Sequence, residues 1–176
     1  SVREARERGM AELDRLRLEL LLGEAIEAAG DDKAALAAYR ALTSAGVPGV
    51  AERARAAEGR CLARMGDFGE AERRLTALTG AATLPAALAS AYQTLGDCAL
   101  RRCEQGAGAE AMREALLAYL RGVVLYASDE DEDAEMQARA LVQAGWCFEK
   151  LRDALPDRTQ RDAYRARAAR LYRECV

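Results

Sequence analysis

The segment from Gly59 to Leu78 (GRCLARMGDFGEAERRLTAL) most constrains the fold, because it reads as a helix end, a tight turn and a returning helix. Gly59 is the small residue on which a second helix can approach the first closely. Gly66 ends the first helix, where a residue free to adopt positive φ is favoured. Ala71 is a second close-contact position, and Leu75 continues the apolar stripe at helical spacing. The segment therefore predicts an antiparallel helical hairpin.

The same pattern recurs along the chain. A glycine within a helix stands at positions 23, 59, 96 and 145, separated by 36, 37 and 49 residues. Each glycine is followed, in the next helix, by a small residue and then by Tyr or Leu four residues later. The four sets are Leu22-Gly23 with Ala35 and Tyr39, Gly59 with Leu62, Ala71 and Leu75, Leu95-Gly96 with Ala115 and Tyr119, and Gly145 with Phe148, Ala168 and Tyr172. An internal repeat of helical hairpins predicts an all-α fold.

These residues resemble the tetratricopeptide repeat family, whose unit of about 34 residues has an L-G-x-x-Y core and a small residue opening the second helix. The resemblance extends from about Arg17 to Val176, although the third and fourth units lack the Gly-Asp turn and have longer helices. It implies a right-handed α-solenoid of about four antiparallel helical hairpins, at approximately 17–48, 49–83, 84–127 and 128–176. Residues 1–16 are then a capping helix or the end of a preceding repeat.

The pattern also predicts where the individual helices lie. We expect helices at 2–29, in which Gly9 is a candidate break, at 32–45, 50–65 and 68–79, from Pro85 to about 104, at 109–127, from near Ser128 to about 153, and after Pro156. Residues 46–49 and 105–108 are predicted turns. Ser128 is a candidate N-cap, and Asp157 with Gln160 has the spacing of a capping box. The acidic run 129–133 is interpreted as a solvated helix start rather than a cation site.

Composition excludes several classes of function. The net charge of −3 argues against nucleic acid as the main partner. No apolar run approaches the roughly 18 residues that span a bilayer, so direct membrane insertion is not expected. The chain has no His, which rules out Ser-His and Cys-His dyads. The sequence therefore predicts a protein that is not an enzyme and takes no cofactor.

The five cysteines suggest packing rather than chemistry. Their number is odd and no C-x-x-C spacing occurs, which favours neither a disulfide framework nor a zinc or other metal site. Cys61, Cys98 and Cys147 each lie two residues after a helix glycine, a position that a small apolar side chain fits. Buried reduced thiols favour the cytoplasm. The chain begins at Ser1 rather than Met, so we also consider a piece of a longer protein.

The family resemblance implies a partner-binding groove lined by the first helix of each hairpin. Carried over by position, its candidate residues are Arg17, Glu24, Arg53, Arg60, Arg64, Gln93, Asp97, Arg101, Trp146 and Lys150. Arg53, Arg60 and Arg64 share one helix face, and a guanidinium strip suits carboxylates. An acidic peptide or a C-terminus is therefore one interpretation, and an Arg face paired with neighbouring Glu is the other. Trp146 is interpreted either as a binding anchor or as part of the core.

The predicted function is a non-catalytic scaffold that binds a segment of a protein or peptide, of acidic character, in this groove. The alternative is a structural module that self-associates, or assembles into a larger multi-domain or envelope-associated complex. The scaffold is expected to be a monomer in solution, whereas an assembly module, as a homo-oligomer, is expected to show a mass that depends on concentration.

Overall fold

The computed structural model describes residues 2–126 and 131–175, and all regular secondary structure in these ranges is helical. The all-α prediction is thereby confirmed. The α-helices are α1 (Val2–Ala28), α2 (Asp32–Leu42), α3 (Pro48–Arg64), α4 (Phe68–Thr79), α5 (Pro85–Arg102), α6 (Gly108–Tyr126), α7 (Asp131–Asp153) and α8 (Arg158–Glu174). The chain divides into two compact units, Ser1–Leu78 and Thr79–Val176. We call them unit 1 and unit 2.

Each helix pair contains the same close contact between a glycine of its first helix and a side chain of its second. A Cβ added at the glycine would lie within 2.7 Å of that side chain, closer than real Cβ atoms approach other groups. The pairs are Gly23 with Tyr39 Cε1 at 2.7 Å, Gly59 with Leu75 Cγ at 2.5 Å, Gly96 with Tyr119 Cε1 at 2.6 Å, and Gly145 with Tyr172 Cε1 at 2.5 Å. The close approach predicted at these glycines is confirmed.

The side chain that contacts the glycine is buried in three of the four helix pairs, and Tyr172 of the fourth is half-buried. Tyr39, Leu75 and Tyr119 are fully buried, and the alanine four residues before each of them is fully buried as well. Cys61, Cys98 and Cys147 also have no exposed surface, which confirms the predicted packing role. Burial raises the pKa of Cys61 to about 11 and that of Cys147 to about 12, so these thiols stay protonated at neutral pH.

The Gly-Asp pairs in unit 1 end one helix and begin the next. Gly30 and Gly66 have φ of 86° and 87°, which L side chains rarely adopt. The following aspartates then cap the second helices: Asp31 Oδ1 accepts the Ala34 N–H at 2.9 Å, and Asp67 Oδ1 accepts the Glu70 N–H at 3.4 Å. A Gly-Asp dipeptide thus encodes a helix stop and a helix start in two residues.

Several predicted boundaries were wrong. Helix α1 passes through Gly9 without a break, and α2 ends at Leu42. Pro48 and Gly49 are not part of a turn, because Pro48 occupies the first helical position, where its missing N–H has no cost. By contrast, the predicted turn at 105–108 is confirmed, because Gly106 and Gly108 have positive φ of 102° and 69° and the helical path is interrupted there.

Other predicted details are confirmed or lie outside the described residues. Asp157 caps α8, since its Oδ1 accepts the Gln160 N–H at 2.8 Å. Ser128 and the first two residues of the acidic run fall outside the described ranges, and α7 begins at Asp131. Within the described residues, no helix is both long enough and apolar enough to cross a bilayer.

The tyrosine contact generates a stability prediction with a matched control. Tyr119 is held from both sides, because its ring lies on Gly96 and its hydroxyl is hydrogen-bonded, so the ring cannot retreat from an added methyl group. We expect Gly96→Ala to lower the free energy of unfolding by about 1–3 kcal/mol, as in other overpacked cores. Gly9→Ala meets nothing within 4 Å and should raise it by up to about 1 kcal/mol. Urea unfolding followed by circular dichroism checks both, and equal effects would contradict the close-packing account.

Candidate partner-binding face

In unit 1, Glu27 of α1 connects three helices. Its carboxylate accepts a hydrogen bond from the Tyr39 hydroxyl of α2 at 2.7 Å. It also accepts two hydrogen bonds from Arg60 of α3, from Nε at 2.6 Å and from Nη2 at 2.7 Å. A further hydrogen bond comes from Arg64 Nη1 at 3.0 Å. Glu27 is buried and both arginines remain partly exposed. One carboxylate therefore holds α1, α2 and α3 together.

The pKa values in this cluster follow from burial and charge. Burial alone would raise the pKa of Glu27, but the hydrogen bonds and charge of Arg60, helped by Tyr39 and Arg64, lower it overall. Burial and the bond to Glu27 raise the pKa of Tyr39. For Arg60, burial would lower the pKa, and Glu27 outweighs it and raises the pKa. The carboxylate is therefore ionised and both guanidinium groups are charged at neutral pH.

The remaining predicted residues of unit 1 differ in their surroundings. Arg64 also contacts Asp32 and donates to the Glu27 carbonyl at 3.3 Å, so its guanidinium group is bonded within unit 1. Arg17 is exposed, with Asp14 as its nearest carboxylate at 3.9 Å. Arg53 is exposed and has no ion-pair partner in the part of the chain that the structure describes. Glu24 is exposed on α1. The predicted arginine strip thus contains two engaged arginines and one without a partner.

The structure adds a buried carboxylate that the sequence analysis missed. Glu58 of α3 is only 1% exposed and accepts Arg40 Nε of α2 at 2.9 Å and Arg74 Nη1 of α4 at 3.1 Å. It directly precedes Gly59, and Leu22, Leu95 and Ala144 occupy the equivalent positions of the other hairpins. A charged residue at a position that is otherwise apolar was the available signal.

In unit 2, Asp97 of α5 has a role similar to that of Glu27. It accepts the Tyr119 hydroxyl of α6 at 2.7 Å and lies 3.5 Å from Arg139 Nη2 of α7. Burial raises the pKa of Asp97, and the Tyr119 bond and the Arg139 charge offset this only in part. Burial, with the Asp97 charge and hydrogen bond, raises the pKa of Tyr119. Asp97 therefore also joins three helices, but with a weaker ionic partner than Glu27 has.

The other predicted residues of unit 2 are structurally diverse. Gln93 is buried, and Arg101 donates to Glu104 on the surface at 2.7 Å. Trp146 is half-buried and packs against the core of this unit, and Lys150 Nζ lies 5.3 Å from the centre of its ring. Trp146 therefore belongs partly to the core, and its remaining surface lies beside a lysine.

The Glu27 cluster generates a prediction about pH. Because its folded-state pKa lies below the unfolded value of about 4.3, Glu27 stabilises the fold above that pH, and this contribution is lost as the pH falls through the folded pKa. We expect Glu27→Gln to cost about 3 kcal/mol at pH 7, as when other buried pairs lose one charge. The difference from wild type should shrink steadily below about pH 5.

Glu19→Gln is the matched control on the same helix. Glu19 forms an exposed pair with Arg15 at 2.5 Å, so its loss should change stability by less than about 1 kcal/mol. Urea unfolding at pH 3, 5 and 7 provides the comparison. A Glu27→Gln deficit that is the same at all three pH values would contradict the role given to the carboxylate charge.

Comparison with protein-family models, with curated proteins and with solved structures finds no match to this chain. The resemblance to tetratricopeptide repeats therefore rests on the residues themselves. It stays a prediction, as does the partner-binding role of the ten candidate residues.

Proposed function

We propose that this protein is a non-catalytic scaffold of the tetratricopeptide type, a solenoid of four helical hairpins that binds a segment of a partner protein along its first helices. The observation that carries the proposal is the link between successive first helices within each unit. Glu27 of α1 bonds Arg60 of α3, and Asp97 of α5 lies beside Arg139 of α7. Within each unit, first helices tied side by side offer a shared polar face to a ligand.

The same contacts refine the chemistry of the ligand. Arg60 and Arg64 are neutralised by Glu27 and Asp32, so a ligand carboxylate would have to displace a bidentate internal pair. Arg53 lies on the same face of α3, about two helical turns before Arg60, and it is exposed. We therefore assign Arg53 as the arginine that contacts an acidic ligand, with Arg60 and Arg64 as positioning residues. This keeps the acidic partner and changes which arginine binds it.

A second candidate function, self-association, is favoured by one observation. Helix α1 exposes Leu18, Leu21 and Leu22, whose side chains lie on one face. This surface is separate from Arg53, but Arg17 and Glu24, two of the candidate groove residues, lie beside it on α1.

The scaffold proposal is tested by partner capture from the native host. Wild-type protein and Arg53→Glu are immobilised, and the bound proteins are identified and their acidic segments synthesised as peptides. We expect Arg53→Glu to weaken binding of those peptides by roughly 10- to 100-fold, the value of one charge-assisted hydrogen bond. Fluorescence of Trp146, the only tryptophan, reports whether unit 2 also contacts the peptide.

The matched control is Arg73→Glu, which makes the same charge change in unit 1. Arg73 lies on α4, a second helix, and its side chain is 68% exposed. It should bind the peptides as the wild type does, and both variants should retain the helical content of the wild type. Equal loss of binding in the two variants would show a general charge effect, and unchanged binding by Arg53→Glu would reject the assigned site.

A further inference from the structure

Helix α1 carries a leucine stripe on its solvent side. Leu18, Leu21 and Leu22 are 67%, 58% and 59% exposed, and Ala25 is exposed on the same face. The spacing i, i+3, i+4 and i+7 places all four side chains on one side of the helix. The opposite side of α1 holds Gly23, on which Tyr39 of α2 packs. The stripe therefore points away from α2. We call these four residues the α1 stripe.

In other hairpins, the equivalent face of the first helix is covered by another helix of the chain. On α3 it comprises Ala54, Ala57, Glu58 and Cys61, all buried, and Glu58 bonds Arg40 of α2. On α7, Ala140, Ala144 and Cys147 lie in one buried cluster with side chains of α6. This face of a first helix is thus a site for helix packing, and on α1 it has no cover among the described residues.

The residues of the α1 stripe distinguish what can cover it. On α3 and α7 the face consists mainly of Ala and Cys, which let the covering helix approach closely. Leu18, Leu21 and Leu22 would hold such a helix farther away, since the distance between helix axes depends on the side chains at the contact. Leucines at this spacing suit a facing row of leucines, packed as knobs into holes. The stripe therefore fits a leucine-bearing helix better than another hairpin of the chain's own kind.

Charges beside the stripe favour a second copy of α1 as that helix. Arg17 and Glu24 are seven residues apart on one flank of the stripe. If two α1 helices pack antiparallel, with Leu18 opposite the partner's Leu21, heptad geometry puts Arg17 beside the partner's Glu24. Two-fold symmetry repeats both contacts. The same surface thus matches itself in charge at Arg17 and Glu24.

We propose that the α1 stripe is the interface of an antiparallel homodimer in which α1 packs against α1 of a second copy. This inference rests on the self-association candidate named above and does not depend on the scaffold function. The stripe spans only about two helical turns, so the interface falls below the roughly 1,200 Å² at which the range of stable complexes begins. The dimer is therefore expected to be reversible, with dissociation in the range of roughly 10 µM to 1 mM.

Sedimentation equilibrium over that concentration range tests the proposal. The mass of the wild type should rise from 19.1 kDa toward twice that value. Leu18→Glu/Leu21→Glu should remain monomeric throughout, with at least a 100-fold weaker association. Both side chains are exposed in the single chain, so the variant should fold, which circular dichroism verifies. The control Leu117→Glu/Val124→Glu alters equally exposed residues of α6 and should dimerise as the wild type does.

A charge exchange tests the antiparallel geometry. Arg17→Glu and Glu24→Arg should each weaken self-association by about 10-fold, because each places like charges together twice in the dimer. An equimolar mixture of the two variants should associate as well as the wild type, since only the mixed dimer has opposite charges at both contacts. A wild type that is monomeric at 1 mM, a dimer that survives the leucine changes, or no recovery in the mixture would each overturn the proposal.

Discussion

The contact between a tyrosine ring and a helix glycine is the constraint on which most of this structure depends. Because Gly96 has no side chain, α6 lies close enough to α5 for the Tyr119 hydroxyl to reach Asp97. In unit 1, Tyr39 crosses Gly23 in the same way and reaches Glu27. Each carboxylate, once oriented by a hydroxyl, presents its other side to the first helix of the next hairpin. In these two hairpins, packing within the hairpin therefore orients the carboxylate that contacts the next first helix.

Glu27 and Asp97 each join a tyrosine to an arginine, but Glu27 has the stronger ionic partners. Glu27 is compensated by a bidentate arginine and by Arg64, so the net effect of its buried surroundings is a lowered pKa. Asp97 has one hydroxyl and an arginine at 3.5 Å that is largely exposed, and its pKa is raised. A carboxylate with a raised pKa destabilises the fold once it ionises, so the two links respond to acid in opposite directions. Lowering the pH therefore removes the stabilisation that ionised Glu27 gives unit 1. In unit 2, it removes the free-energy cost of ionised Asp97.

The sequence predicted the helices and the small residues at their contacts, but it did not predict which charged side chains form pairs between hairpins. The glycines, the alanines and the buried cysteines were predictable, because each is a small residue at a fixed offset from a repeated motif. The pairing of Arg60 with Glu27 was not, since these residues are 33 positions apart and their contact depends on the register between hairpins. The start of α3 was misplaced because Pro48 was interpreted as a turn residue, although proline also favours the first helical position. Helical periodicity likewise shows that α1 has apolar faces, but not which face another helix covers.

These contacts change how the arginines of α3 should be tested. Reversing the charge of Arg60 or Arg64 leaves Glu27 buried beside like charges, which costs several kcal/mol. Loss of binding in such variants would then report loss of structure, and it could not identify a ligand contact. A change at Arg53 separates loss of binding from loss of structure, because no ion pair within the described chain depends on Arg53. In a repeat protein whose hairpins are joined by buried ion pairs, the residues that bind a ligand are best sought among charged residues outside those pairs.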